Sequence, residues 1–339
     1  MNEILTPERK AFRESIKGMN RIGYSGPITK EVIEDFIAAA PGVQLLTVDV
    51  IDDTVFDLRM LTPLKELLTL TINEGAELKE ILLDGIQECE VLMGFEINVN
   101  PEETIEEIDL TPLKNHPELG VVTIACPVKN IKGLDVLGTI PNLHSIGFYS
   151  LDIPEFDLSA LSSCTKLDSI FLGDIGPESP TKPYRITLPK NAHIKLFEAS
   201  ECYSEDLEIE IDFSFLEGIE SMDSLGLVNC NLTSFDLSVL STLKRLGKLD
   251  LSNNKITHLD VTPILEMPMF TEKALGEPPF LVDEDVVIQI AKRREQNVVE
   301  IIGIPDKVID DHDGHFAIEY EFGHKWLKNL IDTNRVEWI

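Results

Sequence analysis

A six-residue phrase (apolar, two others, apolar, one other, apolar) recurs as one in-phase series of nine copies between residues 43 and 251. It opens at Val43, Leu67, Leu92, Leu119, Leu143, Leu167, Ile194, Met222 and Leu246, in steps of 24, 25, 27, 24, 24, 27, 28 and 24 residues. A period of this length, kept through so many copies, restricts the chain to a solenoid, because one copy cannot bury its apolar groups alone and stacked copies can. In residues 143–166, Ile146 and Phe148 fall two apart, the spacing of a short half-buried strand. From Phe156 the apolar groups fall two and then three apart, which predicts a turn or a short 3₁₀ segment.

The last copy is the most regular. Leu246, Leu249, Leu251, Asn254 and Ile256 match L-x-x-L-x-L-x-x-N-x-L, and a second-half phrase of the D-L-S-A-L kind starts in phase at Asp57, Asp109, Asp157, Asp212, Asp236 and Asp260. In these residues the chain resembles the leucine-rich repeat family, intracellular microbial type with 24-residue repeats. The resemblance covers residues 43–275, nine repeats and a degenerate tenth near Phe270. It implies an α/β solenoid, a leucine-rich repeat horseshoe with a parallel concave β-sheet and a convex side of short 3₁₀ segments and turns. A helical N-terminal cap (residues 1–42) and an α+β C-terminal cap (residues 276–339) would close it. The family's common property is a binding surface and not a reaction. Its Asn bonds turn backbone; here that slot holds Ile51, Gly75, Asn100, Pro127, Leu151, Ile175, Cys202, Cys230 and Asn254. The coil is therefore expected to lose regularity from Pro127 to Ile175.

The ends carry other patterns. Thr6 and Thr29 predict N-caps of two helices, the first with Pro7 in its first turn, the second ended by Pro41-Gly42 with Val32, Ile33, Phe36 and Ile37 on its apolar face. Residues 283–296 place acids first and bases last, as a helix prefers, residues 315–322 alternate like a strand, and residues 323–331 read as a helix. This segment is a cap or a small appended module. The Pro-rich loop of residues 173–193 holds Lys182, Arg185 and Lys190, which could bind an acidic segment of a partner or pack on the convex side.

Composition bounds the function. With 60 acidic and 29 basic residues the formal charge is −31, which disfavours phosphate backbones, so no nucleic acid is expected as partner. The acidity is either plain surface solvation or a field that steers a basic partner. No apolar run is long enough to span a membrane, and the first residues do not read as a secretory signal, so no membrane and a cytoplasmic location are expected. The five cysteines do not cluster at the ends as disulfide-stapled caps would. Cys202 and Cys230 fill the Asn slot, Cys89 and Cys164 lie three residues before a strand, and Cys126 is expected to project toward the exposed side.

Motifs for catalysis are missing: there is no G-x-S-x-G, P-loop, H-E-x-x-H or C-x-x-C. The run Asp310, Asp311, His312, Asp313, His315 is the one metal-like cluster, but its spacing fits no calcium loop and a solvated turn accounts for it. No cofactor and no metal are expected. The outward strand positions are acidic, with Asp49, Glu74, Glu96, Asp174, Glu198, Glu201 and Asp250 against one base, Lys248. Tyr149 and Phe171 lie on adjacent strands among Ser145, Gly147, Ser169 and Gly173, either as hot-spot anchors or as aromatics covered by a loop. The sequence thus reads as a non-catalytic scaffold that binds a protein or peptide, and a basic one under the steering reading, through Tyr149, Phe171, Glu96, Val121, Thr123, Glu198 and Asp250. The alternative is an enzymatic or metal-dependent module in residues 276–339 carried on the repeats.

Overall fold

The computed structural model describes residues 5–153, 155–176, 184–191, 193–202, 209–265, 267, 269–270, 280–291, 307–310, 316–319 and 336–339. Two compact units divide the chain: Met1–His193 with Cys202–Phe215, and Ile194–Glu201 with Leu216–Ile339. The chain is an α/β solenoid with a parallel sheet, as its period requires.

In the first unit seven parallel strands follow one another in chain order: Arg21–Ser25, Leu45–Val50, Thr69–Glu74, Gly94–Val99, Val121–Val128, Ser145–Leu151 and Ser169–Ile175. Register follows the repeat, so Leu46 pairs with Leu70, Leu70 with Phe95, Phe95 with Val122, Val122 with Ile146 and Ile146 with Ile170. All three apolar positions of the phrase are buried from Val43 through Leu172, giving aliphatic layers with Phe95 and Phe148 among them. Stacking of like on like is what one repeat lacks by itself.

The strand Arg21–Ser25 was not foreseen between the two helices. It pairs with Leu45–Val50 one period upstream, Ile22 opposite Leu46. Helices α1 (Pro7–Ile16) and α2 (Lys30–Ala39) lie either side of it in sequence, and their caps are those expected: Thr6 and Thr29 side chains accept from the N–H groups of Arg9 and Val32. Phe12, Tyr24 and Phe36 meet pairwise with ring centroids 5.7–5.9 Å apart. On α2, Ile33 and Phe36 are buried but Ile37 is exposed, and Asp35 is buried instead. The carboxylate of Asp35 accepts from Arg9 at 2.8–3.2 Å and from Arg13, so the acid is buried with its counter-ions.

The second side of each coil begins at the repeated aspartate. Asp57, Asp109, Asp157, Asp212, Asp236 and Asp260 each accept a hydrogen bond from the backbone N–H two residues on, at 2.8–3.0 Å. Each then leads into a single helical turn, so the motif is a side-chain cap that satisfies an N–H the turn leaves unpaired. That hydrogen bond from the Ser214 and Ser238 N–H holds the Asp212 and Asp236 carboxyls below their ordinary range.

In the second unit Leu196–Ser200, Ser221–Val228 and Arg245–Asp250 pair in parallel, and Leu246 faces Phe270 one period later. The tenth strand comes in two pieces, Met269–Phe270 and Phe280–Leu281, which pair with opposite ends of Arg245–Asp250. Asn254 bonds turn backbone, as the resemblance drawn from the sequence implies. Its Oδ1 accepts from Cys230 and Leu232 N–H, and its Nδ2 donates to Leu227 and Leu251 carbonyls at 2.7 and 2.9 Å. Cys230, in the same slot, reproduces the donor half: its thiol donates to the Ala199 carbonyl.

Residues 283–296 do not begin as a helix. Val287–Ile290 is a strand, parallel to His258–Asp260 on one side and to Val336–Trp338 on the other. Buried Val286, Ile288 and Ile290 alternate with half-buried Val287 and Gln289, and this β-branched period of two outweighs the charge order. The strand read from His315 is found at Phe316–Glu319, antiparallel to Lys307–Asp310. Asp311 to His315 and the helix read at residues 323–331 lie outside the described residues. Among the described residues no helix is long and apolar enough to cross a membrane.

In four repeats a thiol or polar side chain fills the buried slot three residues before the phrase opens, which is five before the observed strand. Cys89 and Cys164 lie there as expected, and so do His116 and Asn191. Asn191 Nδ2 donates to the Cys164 carbonyl at 2.6 Å, while His116 Nε2 lies 3.2 Å from the Cys89 carbonyl. A carbonyl only accepts, so Nε2 carries the proton, and buried Nδ1 is left without a hydrogen-bond partner. Burial holds His116 below its ordinary pKa despite the Cys89 and Ile86 carbonyls. The unfolded chain therefore takes up this proton first, and stability falls as the pH drops below about 6.5. The Tm advantage of His116→Leu should grow as the pH is lowered from about 7.5 to 5.5; a difference that stays constant would exclude this origin.

Candidate functional site

Between the buried residues of each strand, alternate side chains form the outer face of the first unit's sheet. Two rows matter. One runs Thr71, Glu96, Thr123, Gly147, Phe171; the other runs Asn73, Asn98, Ala125, Tyr149, Gly173. Each aromatic thus has a glycine beside it on the neighbouring strand, Phe171 beside Gly147 and Tyr149 beside Gly173. Both rings are half-buried.

Gly147 explains the position of the tyrosine ring. A Cβ there would lie 3.0 Å from Tyr149 Cε2 and 3.3 Å from Thr123 Cγ2 and Oγ1, so the ring rests over bare backbone where another residue would carry a side chain. The result is a shallow cavity of about 580 Å³ in the sheet face. Tyr149, Phe171 and Gly147 line one side, Glu96 and Asn98 the other, with Thr123 and Ala125 between; Ser145 and Ser150 complete it. Glu96 is the single charged residue of the lining. The Thr71 hydroxyl donates to its Oε2 at 3.4 Å.

Of the residues singled out from the sequence, Glu96, Thr123, Tyr149 and Phe171 come together here. Val121 lies on the same face, in register with Ser145, and does not line the cavity. Glu198 and Asp250 belong to the second unit. The first accepts from the Ser224 hydroxyl at 3.2 Å, and Asp250 accepts from both N–H and hydroxyl of Ser252 through Oδ1 while its Oδ2 lies 3.4 Å from Lys248 Nζ. Asn98, Ala125 and Ser150 were missed, although Asn98 and Ala125 occupy the same outward position as Tyr149 in earlier repeats.

The eighth position of the repeat behaves differently from the expected outward row. Glu74, Ser150, Asp174, Glu201, Asn229 and Asn253 all have left-handed φ between 49° and 65° and turn the chain. The acids Glu74, Asp174 and Glu201 therefore mark strand ends, and the first unit's face retains Asp49 and Glu96 against Arg21. Asp49 accepts from Ser25 and Asn73. Cys126, at the same position, keeps extended backbone inside the eight-residue strand Val121–Val128, so its side chain points inward with Ile124 and Val128 and is fully buried, contrary to expectation. Burial pushes its thiol up to about 12 and that of Cys164 up to about 11, far from nucleophilic thiolates. Irregularity in this stretch shows as a register shift at Ser150 against the longer neighbour.

In the Pro-rich loop, Tyr184–Thr187 is a strand between Glu155–Asp157 and Ile209–Ile211, and Arg185 pairs with Glu210 at 3.2 Å. Lys182 lies outside the described residues. Among the described residues no group of three or more His, Cys, Asp or Glu is gathered to hold a metal ion.

Fold and face together define a parallel β-solenoid with a shallow cavity on its sheet. No family model and no curated protein sequence matches the chain. Among solved structures, an internalin (InlF) from Listeria monocytogenes str. 4b F2365 aligns over 80% of this chain and 84% of its own, with 14% identity and a TM-score of 0.39. The PEPR1–AtPEP1 crystal structure aligns over 80% of this chain and 38% of the matched chain, with 14% identity and a TM-score of 0.44. Neither likeness carries a residue role or an activity to this chain.

Proposed function

We propose that the chain is a non-catalytic interaction module that holds a segment of a partner protein, or a peptide, against the first unit's sheet at Tyr149 and Phe171. One observation carries this reading: two half-buried aromatic rings on adjacent strands, set among glycine, alanine, serine and threonine, bound a cavity of about 580 Å³. Large rings surrounded by small residues offer contact area with few side chains to immobilise, the usual make-up of an interface hot spot. Glu96 and Thr123 belong to the same site, with Val121 at its border. The titratable groups buried elsewhere have structural roles, Asp35 in the cap and the cysteines in the coil.

Affinity capture with the whole chain and with Tyr149→Ala/Phe171→Ala tests this. Truncating two hot-spot rings should weaken recruitment roughly tenfold or more. The far-UV spectrum should stay unchanged, because neither ring belongs to the buried layers. Captured partners that survive the double change in full amount would refute the site.

A further inference from the structure

We propose that the cavity takes a basic side chain of the partner, arginine before lysine, with its cationic head over Thr123 and Ala125 between the Glu96 carboxylate and the Tyr149 ring. This rests on the interaction reading above and specifies its chemistry. Glu96 is in register with Thr123, and Thr123 with Gly147, over which the tyrosine ring lies. Neighbouring strands are about 4.8 Å apart, so a group above Thr123 has the carboxylate about 5 Å to one side and the ring about 5 Å to the other. Both lie within the reach at which an ion pair and a cation–π contact operate together.

The floor suits such a head. Thr123 and Ala125 are short, and no Lys, Arg or His lines the cavity to compete for the carboxylate. Thr71, on the strand away from Thr123, makes a long contact to Glu96 Oε2 at 3.4 Å, while Oε1 has no partner among the described residues. An apolar occupant would strip water from Glu96 and return nothing, and an anionic one would be repelled. A guanidinium does both jobs at once, since its plane stacks on an aromatic face while its edge pairs with a carboxylate; an ammonium does only the second well. The overall charge of −31 draws cations toward the surface before contact.

The test is selection from a random peptide display library on the whole 339-residue chain, in unaltered form and as Glu96→Gln and Tyr149→Ala/Phe171→Ala. Arginine should be enriched roughly threefold over the unselected library on the unaltered chain and at background on both variants. In a selected peptide, Arg→citrulline keeps the shape and removes the charge; it should bind the unaltered chain about tenfold more weakly and E96Q with a smaller loss, since only the ring contact is then forfeited. Peptides that need Tyr149 and Phe171 but carry no basic residue, or a citrulline peptide that binds equally, would overturn the cation and leave the face reading standing. Peptides selected equally by the double variant, or no enrichment at all, would overturn both. The comparison of the arginine and citrulline peptides on the unaltered chain does not depend on any variant folding.

Discussion

Replacing Phe148 by alanine is expected to lower the unfolding free energy by about 4 kcal/mol. Phe148 is fully buried at the sixth position of its repeat, and its ring meets Phe156 edge-on with centroids 4.9 Å apart and planes at 73°. Phe156 belongs to the Glu155–Asp157 strand, so the two rings join the sheet to the second side of the same coil. The void left by alanine cannot close easily, because backbone hydrogen bonds hold Ser145–Leu151 in register on both sides. Phe148→Leu, which keeps most of the volume, should cost only about 1–1.5 kcal/mol. Urea unfolding of the three proteins gives the comparison; an alanine loss as small as the leucine loss would show that this layer is loosely packed.

Asp35→Ala is expected to cost about 3 kcal/mol, the lower end of what breaking a buried ion pair costs. The Asp35 side chain is only 3% exposed, whereas Arg9 and Arg13 are 20% and 23% exposed and would regain water once their partner is gone. Burial alone would raise the Asp35 carboxyl; the hydrogen bonds from Arg9 and Arg13 outweigh it and hold it below its ordinary value. A carboxyl depressed in the folded state contributes stability above the unfolded value near 3.9, and that contribution disappears as the pH falls through the folded value. The variant should therefore unfold at lower denaturant at neutral pH and lose less on further acidification. Parallel acid limbs for the two proteins would place the coupling elsewhere.

The period made the sheet, its register and most of the core legible, because burial of like on like depends only on which residues recur. The strand Arg21–Ser25 follows the same phrase through Met19, Ile22 and Tyr24, but an aromatic at the last position and the strong capping signals on either side drew attention to the helices. The fate of the eighth position depended on backbone conformation, which the apolar pattern does not encode. The unbranched or polar residues Glu, Ser, Asp and Asn take the left-handed turn there, whereas Val50 and Val99 are β-branched and resist it, and Cys126 continues its strand inward. His116 was legible in principle, since it shares its slot with Cys89 and Cys164; what it holds there becomes clear only from the Cys89 carbonyl beside it. In the site, Tyr149 and Phe171 could be read as outward and adjacent. The use of Gly147 as a seat for the ring is not encoded in the spacing, which does not say which way a tyrosine leans.

That seat has an entropic consequence. With Gly147 beneath its ring and Thr123 alongside, Tyr149 has surrendered part of its rotational freedom when the protein folds and not when a ligand arrives. A side chain bound there as proposed would meet a wall already in place, so less of its contact energy would be consumed in immobilising the receptor.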